Sequence, residues 1–228
     1  SISDYVTMTN YAQSIADVPV LMTLDGEWGF PMRVKNTPRF PYNMGLGAID
    51  NEQLLYEYGK EMARECRLMG IHVNFAPVLD VNSNPSNPVI GYRSFGEDPA
   101  RVSRLGVAYS RGLEEGGVLS VSKHFPGHGD TSSDSHKVLP VVDHDMSTLN
   151  SVDLLPFKQY IDAGLSGVMV GHLSVPALDK SGTPASMSKK ITTDFLRDKM
   201  GFEGLIFTDA LAMKGAKASE NNCVAALM

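Results

Sequence analysis

The sequence lacks several features that would each assign the protein to a particular class. Its 228 residues contain no apolar run of about 20, so no membrane-spanning helix is predicted. Lys and Arg number 20 against 26 Asp and Glu, and the net charge of -6 disfavours a nucleic-acid partner. The only cysteines, Cys66 and Cys223, are too few for a disulfide framework. An uncharged or weakly charged small substrate fits this composition better than a polyanion.

Three common site motifs are also missing. No Gly-x-Gly-x-x-Gly or phosphate-binding loop follows a predicted strand, which disfavours a nucleotide-binding sheet. No Gly-x-Ser-x-Gly turn is present to hold a serine nucleophile. The first predicted strand carries no His-x-His pair, which disfavours a zinc or binuclear-metal hydrolase.

What the chain does contain is an alternation of apolar, β-branched runs with helical periodicity, the pattern of parallel βα units. Five strands are predicted, at 18–25, 71–80, 118–124, 167–172 and 205–209. Helices are predicted after Asp50, from Pro99, after Ser147 and around Ile191, each with a start signal or an apolar face. The glycine-punctuated stretch that ends at Gly47 is predicted to be a loop.

Each predicted strand has a polar, potentially reactive residue at its C-terminal end. In chain order these residues are Asp25, Asp80, Lys123 with His124, His172 and Asp209. The C-terminal ends of parallel strands converge on one face, where barrel and open-sheet enzymes build their sites. The pattern therefore predicts an α/β, TIM-like (β/α) barrel. Since a closed barrel needs eight strands, the barrel is expected to be incomplete at both ends of this chain.

The stretch 123–140 is the strongest candidate for an active-site segment. It holds three of the six histidines, His124, His128 and His136, interleaved with Lys123 and two aspartates. Together with Asp209, it supplies what glycosyl transfer requires: a carboxylate for the anomeric carbon, a proton donor and groups that grip hydroxyls.

Several motifs resemble the bacterial β-N-acetylglucosaminidases of glycoside hydrolase family 3. They are Lys123-His-Phe-Pro-Gly-His-Gly-Asp-Thr131, Asp134-Ser-His136, Asn74-Phe-Ala-Pro-Val-Leu-Asp80, Arg93-Ser-Phe-Gly-Glu-Asp-Pro99 and Phe207-Thr-Asp-Ala-Leu211. The resemblance runs from about Leu21 to about Ala216. It implies that residues 1–228 form part of one catalytic barrel domain, with an appended domain outside this chain as a further expectation. It also implies retaining hydrolysis of terminal β-linked N-acetylglucosamine, with peptidoglycan fragments among the substrates and no metal or organic cofactor.

The resemblance also implies roles for individual residues. Asp209 matches the nucleophile that forms a covalent glycosyl-enzyme intermediate. His136 matches the general acid/base, with Asp134 as its partner, because a neighbouring carboxylate favours the protonated imidazole and orients it. The residues that match sugar-binding positions are Asp25, Arg93, Lys123, His124 and His172, with Arg33 and His128 as supporting candidates.

Alternatives remain open at this point. Asp209 could instead cap the element after its strand, and Asp80 is expected to brace the Asn-Pro-rich loop that follows it rather than to contact substrate.

The family usually has Asp-x-Glu-Gly-Gly after the first strand, whereas this chain has Asp25-Gly-Glu-Trp-Gly. Trp28 could stack on a sugar or simply pack the loop against the barrel rim. A glycoside phosphorylase and a non-catalytic sugar-binding module are the competing functions.

Overall fold

A computed structural model of the protein describes residues 1–135 and 137–216. Five strands pair in parallel, in chain order, to form one sheet. They are β1 (Thr23–Leu24), β2 (Val73–Asn74), β3 (Leu119–Phe125), β4 (Gly167–Val170) and β5 (Leu205–Thr208). All five predicted strands are therefore confirmed, with β1 and β2 much shorter than the apolar runs that contain them.

The sheet is curled rather than flat. Phe75, next to β2, and Phe207, on β5, have ring centroids only 5.3 Å apart, although β3 and β4 lie between their strands. In a flat sheet, strands three positions apart would be separated by roughly 14 Å. Val73, Val121 and Met169 fill the concave side between these rings. The described residues thus form a curled part of a barrel wall, which confirms the predicted α/β barrel-like fold.

Helices cover the convex side of the sheet. They are α1 (Ile2–Ile15), α2 (Asn43–Ile49), α3 (Glu52–Leu68), α4 (Pro99–Glu115), α5 (Met146–Thr148) and α6 (Leu154–Asp162), with π-helical segments at Leu149–Asp153 and Lys190–Lys199. Not one of these helices is long and apolar enough to cross a membrane within the described part of the chain.

Helices α3 and α4 begin close to the predicted positions, and each has a side-chain cap that the sequence analysis did not name. The Asn51 side chain accepts the Leu54 N–H at 3.0 Å, and the Asp98 side chain accepts the Ala100 N–H at 2.9 Å. The two helices approach so closely that a Cβ on Gly59 would lie 2.1 Å from the Tyr109 carbonyl oxygen. Their buried faces belong to the main hydrophobic core, and α4 contacts β3.

Two helices depart from the sequence prediction. The stretch from Asn43 to Gly47, predicted to be a loop, lies in helix α2, which continues to Ile49. A tertiary contact accounts for the difference, since a Cβ on Gly47 would lie 1.7 Å from the Phe95 carbonyl oxygen, so this glycine permits close packing and does not break the helix. The unpredicted α1 begins at a capping box in which Ser1 and Asp4 bond reciprocally.

Candidate active site

A cavity of about 410 Å³ opens at the C-terminal ends of the strands. Predicted site residues in its lining are Asp25, Arg33, Arg93, Lys123, His124, His128 and Asp209. The expected convergence of strand ends thus brings seven of the ten candidates to one cavity. Their roles stay predictions.

The floor of the cavity is a buried network of opposite charges. Lys123 Nζ lies 2.8 Å from both Asp25 Oδ1 and Glu27 Oε1. Arg93 forks onto Glu27, with Nε 2.9 Å from Oε2 and Nη2 2.7 Å from Oε1. Arg33 Nη2 reaches the other oxygen of Asp25 at 2.9 Å. We call Asp25, Glu27, Arg93 and Lys123 the charge cluster.

Pairing with cations keeps the two carboxylates of the charge cluster ionised, although burial opposes their charge. Burial acts to raise the pKa of Asp25, but the charge of Lys123 and the hydrogen bonds from Lys123 and Arg33 outweigh it and lower that pKa. Burial likewise opposes ionisation of Glu27, yet Lys123 and Arg93 hold its pKa far below the usual range. Such fixed donors and acceptors suit recognition of neutral sugar hydroxyls, since they need no reorganisation when substrate arrives.

Glu27 is the main functional candidate that the sequence reasoning missed. It is 3% exposed and carries ion pairs to both cations of the cluster. Its position two residues after Asp25, inside the motif already noted, was the available signal. The segment is held from β2, where buried Asn74 accepts the Gly26 N–H at 2.9 Å and donates to the Gly26 carbonyl at 3.3 Å.

Asp80 is a brace, and not a wall of the cavity. Its fully buried carboxylate accepts three hydrogen bonds: from the His124 ring Nδ1 at 2.7 Å, from the His124 backbone N–H at 3.1 Å and from the His128 backbone N–H at 2.7 Å. With Nδ1–H committed to Asp80, His124 Nε2 is left to accept from Arg93 Nη2 at 3.4 Å. The predicted bracing role is present, but the carboxylate braces the loop after β3 instead of the Asn-Pro segment.

His128 lies deep in the cavity wall and ties down the loop that follows. The Thr131 hydroxyl donates to the His128 carbonyl at 3.0 Å, so it accepts from His128 Nδ1 at 2.6 Å. Nε2 then accepts from the Ser135 hydroxyl at 3.1 Å. Burial lowers the pKa of His128 to about 4, so this ring is neutral near pH 7. A neutral, fully bonded imidazole supports the loop rather than offering a charge to substrate.

Asp209 stands directly after β5. Its backbone N–H donates to the Val170 carbonyl at 3.0 Å, which continues the β4 to β5 ladder, and one carboxylate oxygen accepts the Ala210 N–H at 2.7 Å. The side chain is part-exposed in the cavity, and its charge contributes to raising the pKa of Arg93. A part-exposed carboxylate that lines the cavity is chemically suited to attack an electrophilic carbon.

Two of the predicted site residues that the structure describes, His172 and Asp134, do not line the cavity. His172 is fully buried, with Nδ1 2.6 Å from Ser186 Oγ and Nε2 donating to the Ala210 carbonyl at 3.1 Å, so it supports the turn that follows Asp209. Asp134 lies half-buried on the loop after β3, 4.0 Å from Lys137 Nζ. His136 lies outside the described residues.

The loop after β3 contacts the segment after Asp209. The Gly215 N–H donates to the Ser135 carbonyl at 3.1 Å, and a Cβ on Gly215 would lie 2.7 Å from that oxygen. Ser135 lies between the two predicted dyad residues in sequence. The backbone next to the predicted proton donor is therefore bonded to the segment that follows the predicted nucleophile.

An aromatic cluster lies at one side of the cavity. Trp28 lines the cavity and packs edge-on against Tyr42, with centroids 4.9 Å apart, and against Tyr92 at 6.3 Å. The Arg39 guanidinium lies 4.6 Å from the Tyr42 ring centroid. Trp28 thus packs the rim, which is one of the two roles left open by the sequence, and it also lines the cavity; stacking on a sugar stays a prediction.

Comparison with known proteins gives consistent matches along almost the whole chain. Residues 2–228 match the glycosyl hydrolase family 3 N terminal domain. The β-hexosaminidase A of Pseudoalteromonas piscicida is 42% identical over 92% of this chain. This chain spans 39% of that protein's length.

Solved structures agree with this match. A glycoside hydrolase family 3 β-N-acetylglucosaminidase from Paenibacillus sp. str. FPU-7 superposes with a TM-score of 0.94 at 38% identity, over 99% of this chain and 44% of that one. The β-glucoside phosphorylase BglX bound to 2FGlc superposes with a TM-score of 0.90 at 28% identity, over 94% of this chain and 41% of that one.

Proposed function

This chain belongs to glycosyl hydrolase family 3, and we propose that the protein containing it removes terminal β-linked N-acetylglucosamine by retaining hydrolysis. Residues 1–228 would supply part of its catalytic barrel, with an appended domain elsewhere in the protein. Relatives named β-hexosaminidase and β-N-acetylglucosaminidase support the sugar specificity. Peptidoglycan fragments are the proposed biological substrates.

One observation carries the proposal: Asp209 shares a cavity with the charge cluster. Lys123, Arg93 and their carboxylate partners would bind hydroxyls and the N-acetyl group, while the Asp209 carboxylate attacks the anomeric carbon. The bond to the leaving oxygen breaks as the bond to Asp209 forms. Water then releases the sugar with its original configuration.

Proton transfer is assigned to His136, with Asp134 as its partner. The acid would protonate the leaving oxygen in the first step and then, as a base, take a proton from the attacking water in the second. Imidazole suits both steps because it titrates near neutral pH. The bond between Ser135 and Gly215 supports this assignment, because it joins their loop to the segment after Asp209.

The test uses the full-length protein and 4-nitrophenyl N-acetyl-β-glucosaminide. NMR during early turnover should show the β-anomer of N-acetylglucosamine forming first. A 5-fluoro analogue, which slows the second step, should label Asp209, and mass spectrometry of the digest locates the label. Asp209→Asn should lose turnover while still binding the free sugar. Formation of the α-anomer, or a label on another carboxylate, would contradict the proposal.

A phosphorylase is the second candidate, favoured by the similarity to the β-glucoside phosphorylase. Here inorganic phosphate would replace water in the second step and release a sugar 1-phosphate. Adding phosphate to the same assay separates the two functions, since hydrolysis predicts an unchanged rate and only free N-acetylglucosamine. A non-catalytic sugar-binding module predicts that the parent protein and Asp209→Asn bind sugar equally and that neither turns it over.

A further inference from the structure

The loop between Asp130 and His144 is closed at its base by two ion pairs. His144 Nε2 lies 3.2 Å from Asp130 Oδ2, which joins the two ends of the loop to each other. His144 Nδ1 lies 2.7 Å from Oδ2 of Asp153, the last residue of the π-helical segment before α6. We call Asp130, His144 and Asp153 the loop neck. It lies outside the cavity lining, and no role assigned above uses it.

The neck is complete only when His144 is charged. Both ring nitrogens face a carboxylate oxygen, and only the imidazolium has two N–H donors. A neutral ring would turn a lone pair towards one of the carboxylates. The charged groups that face the ring are Asp130 from the loop and Asp153 from the helical segment, with Asp145 next along the chain. Burial opposes the charge, but Asp153 and Asp130 outweigh it and raise the pKa of His144.

The base of the neck is buried and closely packed. Asp153 is 1% exposed, and the backbone of Gly127 packs directly on it, since a Cβ on Gly127 would lie 2.7 Å from the Asp153 Cβ. On the far side of the loop, the Val142 N–H donates to the Ser174 carbonyl at 2.9 Å, and the Ser174 N–H donates to the Pro140 carbonyl at 2.8 Å. The neck therefore fixes the position of the loop relative to the buried residues at its base.

We propose that charged His144, paired with Asp130 and Asp153, is a positioning residue that holds the loop bearing Asp134 and His136 in its productive place. The inference rests on the proposed function, which gives those two residues the proton transfer. Asp134 lies four residues from Asp130, so loosening the neck shifts the dyad relative to the leaving oxygen. A misplacement of about 1 Å can reduce such a step by roughly a hundredfold.

The test exploits the fact that a positioned acid matters only for leaving groups that need a proton. In the full-length protein, kcat/KM is measured for the phenyl and the 2,4-dinitrophenyl N-acetyl-β-glucosaminides. His144→Gln should lower the phenyl value about tenfold, part of the 10²–10⁴ that a general acid supplies, and the dinitrophenyl value less than twofold. Asp130→Asn, which leaves the buried Asp153 pair intact, should give a smaller change in the same direction.

The matched control is His72→Gln. His72 is an exposed histidine before β2 whose Nδ1 accepts the Met22 N–H at 3.0 Å, and its replacement should leave both values unchanged. Thermal unfolding of each variant checks that the fold survives. If His144→Gln does not fold, Asp130→Asn decides the question alone. Equal losses on both substrates, or no loss on either, would overturn the proposal.

A second measurement follows the charge itself. His144→Arg keeps a positive charge at every working pH, so it should restore the wild-type ratio of the two substrates and extend activity to higher pH. His136→Ala is measured beside it. If the loss of kcat/KM in His136→Ala is the same for both leaving groups, His136 is not the acid. If that loss is larger for the phenyl substrate in His136→Ala but not in the neck variants, only the role of the neck is wrong.

Discussion

The charge cluster and the loop after β3 meet at the same cavity, but opposite protonation chemistry stabilises them. In the cluster, Lys123 and Arg93 are paired with buried Glu27, and Lys123 also with half-buried Asp25; the pKa values of both carboxylates are lowered. The loop relies on histidines whose pKa values shift in opposite directions: burial lowers that of His128 to about 4, whereas Asp153 and Asp130 raise that of His144 against the effect of burial. The binding role proposed for the charge cluster requires charges that stay constant with pH. The proton transfer proposed for the loop requires a group that titrates near the working pH.

The largest expected effect is a loss of stability when a charge is removed from the charge cluster. Glu27→Gln leaves Arg93 without its forked partner and removes one of the two carboxylates on Lys123. Breaking a buried ion pair from one side costs roughly 3–5 kcal/mol, because the remaining charge stays buried. Urea unfolding should show this loss in the free energy of unfolding. Glu61→Gln, which breaks the exposed pair with Arg64, is the matched control and should change little. An equally small loss for Glu27→Gln would mean that the cluster does not hold the site together.

The next effect separates the two histidines of the loop region by their pH dependence. The pKa of His128 falls from 6.5 to about 4 on folding, so the unfolded chain binds more protons between these values. Stability should therefore fall as the pH drops through this window, by roughly 3 kcal/mol for the whole shift. The pKa of His144 is raised, so its contribution is fully present below its unfolded pKa and is lost as the pH rises through the folded one.

The measurement is the free energy of unfolding from about pH 4 into the alkaline range. His128→Gln should flatten the acid side of the curve, and His144→Gln should flatten the alkaline side. Identical curves for the two variants would break the distinction between a neutral and a charged support.

The smallest effect concerns the rim next to the charge cluster. If Trp28 contacts substrate, Trp28→Leu should raise KM a few-fold, the equivalent of about 0.5–1.5 kcal/mol for one aromatic contact, with kcat almost unchanged. Tyr11→Leu, on the exposed surface of α1, is the control. A lower unfolding midpoint with an unchanged KM would instead show that Trp28 only packs against Tyr42 and Tyr92.

The strands and the position of the site could be predicted from the sequence because both depend on local patterns of residues. Apolar runs and their polar ends are properties of neighbouring residues, so Asp25, Lys123 and Asp209 could be placed at strand ends without knowledge of the fold. The same local rules misplaced the stretch from Asn43 to Gly47, because a contact with Phe95, more than forty residues away, makes it helical. The sequence identifies Glu27 as an acidic residue, but it does not indicate that Glu27 is buried between two cations.

By itself, the sequence determined the alternation of strands and helices, the cluster of polar strand ends and the resemblance that names Asp209, Asp134 and His136. Tertiary structure alone decided which charges became partners: Asp80 with His124, Glu27 with Arg93, and His144 with Asp130 and Asp153. The reason is physical. Protonation and pairing depend on burial and on distances of about 3 Å between charged groups, and both exist only once the chain has folded.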